Sequence, residues 1–155
     1  MATSNILQTL EAGSGLGASN RSQYETYLAS GTAAIAVGDW LSFDMSKTAV
    51  GDKLLYVLGA DTDVLATKGQ AVVGVAVEAL TADEATAGKR VKVCISGIAE
   101  ANCHADVTPG LGLIISGEIG QAIIATTGAL TPIIGYAIDD AGDGGVVTCY
   151  VVKQF

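Results

Sequence analysis

From Thr32 onward the sequence is a succession of short apolar runs separated by breaks centred on glycine, and this punctuation constrains the fold more than any other feature. None of the runs sustains a helical period, so the pattern predicts an all-β chain. The runs read as strands are 34–37, 40–43, 54–58, 71–78, 90–95, 111–115, 121–125, 133–138 and 146–152. Many are apolar on both faces, as expected for strands covered twice in a sandwich or barrel that packs into an oligomer. Only Thr81-Ala-Asp-Glu84 has the spacing of a capping box, which supports a turn or two of helix inside a hairpin loop.

The runs also resemble one another. Val72-Val-Gly74-Val-Ala76-Val-Glu78 lies over Ile133-Ile-Gly135-Tyr-Ala137-Ile-Asp139: β-branched pair, Gly, apolar, Ala, β-branched, acid. Each is preceded by a turn entering an apolar run, at Val37-Gly38-Asp39-Trp40-Leu41 and at Thr108-Pro109-Gly110-Leu111-Gly112-Leu113, and each is followed by a polar loop and another strand. One supersecondary unit used twice would produce this, with halves at about 32–100 and 101–155; chance likeness among Val/Gly/Ala-rich strands is the other reading. Gly74 and Gly135 fall inside strands, where glycine weakens pairing unless a bulge, a barrel corner or a close backbone approach needs the room. The last would suit a tightly wound symmetric assembly. Trp40, the single tryptophan, is read with them as core or protomer interface.

Composition bears on the surface. With 155 residues the chain can bury a core without disulfides or metals. Only 15% of the residues are charged, against about 25% in an ordinary domain, and the mean hydropathy is +0.46. Such a surface is expected to be partly covered by copies of itself or by a partner. The net charge of −8 argues against nucleic-acid binding. The first residues show no secretory pattern, and no apolar stretch reaches the length of a membrane helix, so a soluble protein is expected. Cys94, Cys103 and Cys149 form no C-x-x-C and are read as small buried thiols of a reducing compartment.

Residues 1–31 are rich in Gly, Ser, Asn and Thr and read as an extended N-terminal arm ahead of a β-rich domain at 32–155. Its apolar anchors are Ile6, Leu7 and Leu10, then Tyr24, Tyr27 and Leu28.

Residue chemistry points away from catalysis. The single histidine, His104, adjoins Cys103, and neighbours on a strand face opposite ways, a poor arrangement for one metal ion or for a nucleophile and its base. Asp139-Asp140-Ala-Gly-Asp143 lacks the ligand spacing of a calcium loop and suits a turn, as does Asp61-Thr-Asp63. Gly13-Ser-Gly15-Leu-Gly17 lacks the Lys-Ser/Thr of a phosphate loop, and Lys89, Arg90 and Lys92 make too small a basic patch for nucleic acid. No catalytic residue, cofactor or metal site is expected.

Three segments, Ala33-Ala-Ile-Ala-Val37-Gly38-Asp39-Trp40-Leu41, Val72-Val-Gly74-Val-Ala76-Val-Glu78 and Gly88-Lys-Arg-Val91-Lys-Val93-Cys-Ile-Ser-Gly97, resemble the small capsid decoration, or cement, proteins of tailed bacteriophages. The resemblance covers about residues 31–100, and the second copy extends it more weakly to 152. It implies a compact β-barrel or β-tulip-like sandwich, a homotrimer on the outer capsid surface of a virion assembled in the host cytoplasm, and bridging of major capsid protein subunits against DNA pressure. An arm of that family reaches the shell, which implies capsid contacts at Ile6, Leu7, Leu10, Tyr24 and Tyr27. The competing expectation is a carbohydrate-binding or adhesive head-fibre module, favoured if Trp40, Tyr24 and Tyr27 share one exposed face.

Overall fold

The computed structural model describes residues 22–60, 71–126 and 132–154. Among them are nine strands: β1 (Gln23–Ala29), β2 (Trp40–Phe43), β3 (Tyr56–Gly59), β4 (Val72–Ala76), β5 (Arg90–Asn102), β6 (Gly112–Ile115), β7 (Ala122–Ile124), β8 (Gly135–Ala137) and β9 (Val146–Val151). The fold is a compact all-β barrel, closed where β1 pairs with β3 in parallel and with the first half of β5 in antiparallel. The closed circuit is β1-β3-β2-β4-β5.

β5 does not stop there. Its second half, Gly97 to Asn102, pairs with β9 and leads into the neighbouring strands β8, β6 and β7. Just past β5, Cys103 makes a parallel bridge to Ala122 of β7, so these strands too return upon themselves. Two small barrels therefore share one long strand.

The pairings of the two barrels coincide residue by residue. Leu41 faces Gly74 on one side and Gly59 on the other; Leu113 faces Gly135 and Ile124 in the same places. The isolated bridge Ile35↔Leu80 recurs as Val107↔Ala141. β1, running from β5 to its parallel contact at Ala29↔Val57, has its counterpart in the second half of β5, running to Cys103↔Ala122. Gly38 and Gly110, at φ 90° and 83°, make equivalent left-handed turns into β2 and β6, where a side chain would be strained. The two similar seven-residue runs of the sequence thus occupy equivalent positions. The copies differ in their loops: helical turns at Val50–Lys53 and Ala82–Thr86 in the first have only short turns opposite them in the second.

Alternation along each strand fills two cores. Leu41, Phe43, Val57, Val73, Val91, Val93 and Ile95 fill the first, and their counterparts Leu113, Ile115, Ala122, Ile134, Val147, Cys149 and Val151 fill the second. Trp40, Val75 and Cys94 point out of the first barrel yet are 0% exposed, because the second barrel packs over them.

Several elements differ from the sequence expectation. The chain enters the first barrel at Gln23, inside the segment read as an arm, because Tyr27 and Ala29 reach the core and the strand pairs with both β5 and β3. The run 34–37 contributes only the bridge at Ile35. The capping box forms: the Thr81 hydroxyl accepts from the Glu84 N–H (3.3 Å) and the Glu84 carboxylate from the Thr81 N–H (3.0 Å).

Candidate interaction surface

The motif Gly38-Asp39-Trp40 is the joint between the barrels. Trp40 lies over Gly135, whose added Cβ would stand 3.1 Å from the indole. The Trp40 N–H donates to the Gly120 carbonyl and the Gly120 N–H to that of Ala60, both at 2.8 Å, so the turn ahead of β7 is stitched to the first barrel by main chain. Asp39 accepts from the Ala36 N–H (2.7 Å) and from the Asn102 amide (2.8 Å), which also donates to the Val37 carbonyl. Burial pushes the Asp39 carboxyl upward, against the pull of those two donors. The whole joint hangs on the end of β5.

Gly74 and Gly135 are explained by close approach within the chain. A Cβ at Gly74 would collide with the Cys94 carbonyl, and one at Gly135 would sit 2.8 Å from that of Tyr150, the equivalent residue. With Trp40 they belong to the core of one protomer.

The face of the second barrel equivalent to Trp40, Val75 and Cys94 has nothing over it among the described residues. Its residues are Gly112, Tyr136 and Tyr150, the two tyrosines directly opposed across β8 and β9 and 44% and 47% exposed. Ile133 and Ile138, exposed counterparts of Val72 and Val77, extend it, and Ile98 lies opposite Tyr150 on β5. This makes one largely apolar, aromatic sheet face, with the exposed Glu100 at its edge beside Ile98. A second group of exposed apolar side chains, Val50, Leu54 and Leu55, lies on the first barrel's loop between β2 and β3.

The other singled-out residues fall elsewhere. Tyr27 is in the first core, its ring edge-on to Phe43 (5.8 Å between centroids) and its hydroxyl donating to Glu25 at 2.6 Å, so it is not an arm contact. Tyr24 is exposed, with the Lys92 ammonium 4.9 Å from its ring centre. Trp40, Tyr24 and Tyr27 therefore share no exposed face. Ile6, Leu7, Leu10 and Asp61-Thr-Asp63 lie outside the described residues.

Among the described residues no His, Cys, Asp and Glu side chains gather as a metal site. Cys103 is buried while His104 is exposed, and burial with the charge of Asp139 pushes the Cys103 thiol up to about 11. Cys149 is raised to about 12 by burial and the neighbouring thiols. Neither is a thiolate at neutral pH. The acidic loop does turn work: Asp139 accepts from the Thr148 N–H (2.7 Å) and Asp106 from the Asp143 N–H (2.9 Å). The tyrosine face was missed in the sequence; the signal was there in the two tyrosines standing where the first copy has Val75 and Cys94.

No protein-family model matches the sequence, and no curated protein does. Among solved structures, the fold is similar to that of the head fiber gp8.5 N base of bacteriophage phi29, with a TM-score of 0.57 and 17% identity, covering 84% of this chain and 95% of that one.

Proposed function

We propose that this chain is a structural protein of a tailed-bacteriophage head that decorates the outer capsid surface as a homotrimer. There it bridges neighbouring major capsid subunits and stiffens the shell against the packaged DNA. The observation that carries this reading is the likeness to a phage head fibre base over 84% of the chain, more than either barrel alone could supply. The charge-poor surface agrees with it, as does polar chemistry used for turns and joints rather than for a convergent pocket.

In this reading the N-terminal residues, through Ile6, Leu7 and Leu10, reach the shell, with Tyr24 at their root. Ser22 fixes that root: its hydroxyl donates to the Ile98 carbonyl and accepts from the Ile98 N–H, both at 3.0 Å. The test is co-sedimentation of the full chain, and of the chain lacking residues 1–21, with undecorated heads. β1 remains intact in the shorter protein. Binding of the full chain and loss of binding by the shortened one are expected. No binding by the full chain overturns the reading; equal binding by both overturns the role of the arm.

A further inference from the structure

The described chain begins at the margin of the tyrosine face. Ser22 is held there by both main-chain groups of Ile98, Ile98 stands directly opposite Tyr150, and Tyr150 directly opposite Tyr136. Alongside this row lies an open groove of about 320 Å³, whose lining includes Tyr24, Val37, Val77, Ile98, Glu100 and Thr148. Glu100 is exposed on that groove and has no ion pair among the described residues, and the residue that precedes Ser22 is Arg21.

We propose that residues 11–21 of the same chain lie over this face, with Leu16 seated against Tyr136 and Tyr150 and Arg21 beside Glu100. Tyr136 is two strands from Ile98, about 10 Å, and the chain from Ser22 back to Leu16 spans about 20 Å when extended. The segment therefore reaches the two rings with slack. Its charged side chains, Glu11 and Arg21, stand at its two ends, so nothing between them opposes an apolar surface. Gly15 and Gly17 flank Leu16 and let the backbone come close to the rings. The run Gly13-Ser-Gly15-Leu-Gly17, which lacks the residues of a phosphate loop, thereby has a place on the protein's own surface. Tethered at Ser22, the segment is present at an effective concentration of about millimolar, against which a second copy in dilute solution competes poorly. The inference goes beyond the capsid reading and does not rest on it: Ile6, Leu7 and Leu10 remain past the segment, where that reading uses them.

The test is made on the free protein, without heads. Hydroxyl-radical labelling of Tyr136 and Tyr150 is expected to rise several-fold when residues 1–21 are removed, and likewise for Leu16→Asp in the full chain, while labelling of Tyr56 on the first barrel stays the same. In the full chain, Leu16→Cys combined with Tyr136→Cys is expected to close a disulfide within one molecule under mild oxidation, located by peptide mass. Leu16→Cys combined with Lys92→Cys is expected to stay open, although Lys92 is exposed and lies about 16 Å along β5 from Gly97, within the same reach. The three native thiols are buried and protonated, so they stay silent. Tyrosine labelling unchanged by removal of residues 1–21 overturns the proposal and leaves the face to another partner. A disulfide formed only between molecules gives the face to a second copy and overturns it too, and equal closure at Lys92 overturns it because the segment then has no preferred seat. None of these outcomes depends on whether the protein binds heads, so the two proposals fail separately.

Discussion

At Asp44 and Ser116 two different residues perform the same task in equivalent turns. Asp44 is buried, accepts from the Ser46 N–H (3.0 Å) and from the Ser30 hydroxyl (2.6 Å), and lies 3.7 Å from the Lys47 ammonium. Ser116, also buried, accepts from the Glu118 N–H at 3.0 Å. Burial raises the Asp44 carboxyl, but its hydrogen bonds and Lys47 outweigh it and hold the group below the ordinary carboxylate range. A depressed folded pKa means that its stabilisation is present above the unfolded value and is lost as pH falls through the folded one. Asp44→Ser should therefore flatten the acid limb of the stability profile below about pH 4, measured by urea unfolding at stepped pH, while keeping the turn as Ser116 does. The glycines give a second prediction. Gly74→Ala and Gly135→Ala place a Cβ against a strand carbonyl and should each cost about 1–3 kcal/mol as overpacking. Gly51, with nothing within 4 Å, is the control, and Gly51→Ala should leave the melting curve nearly unchanged.

Among the elements, the strands of the second barrel and β2 were legible as apolar runs, with Gly38, Gly110, Gly120 and Gly145 just ahead of β2, β6, β7 and β9, and β2 lies where the sequence puts it, at Trp40–Phe43. β1 was not legible. It closes the first barrel with only Tyr27 and Ala29 buried, and the alternation of QYETYLA reads as a polar terminus until β5 and β3 lie beside it. β5 was read too short because its outward face changes neighbours midway, and no local pattern marks a strand that serves two barrels. Trp40 was read as core or protomer interface, and it is the core contact between barrels. Trp40→Ala should accordingly destabilise by about 3–5 kcal/mol and speed hydrogen exchange at the Ala60 and Gly120 amides, which the joint protects. Unchanged exchange there would mean that main-chain bonds alone hold the barrels together.

For the molecule as a whole, the shortage of charge read from composition has a structural counterpart in two separate apolar surfaces, one on each barrel. Composition could say that something is covered. It could not say where, because which tyrosine faces outward depends on the stacking of one barrel on the other. Copies of the chain are proposed to complete one another as a homotrimer, and the solution mass of the purified full-length protein, followed by light scattering on dilution, decides it. A stable species at three times the 15.6 kDa chain mass is the predicted result, and a persistent 15.6 kDa species at every concentration would contradict it.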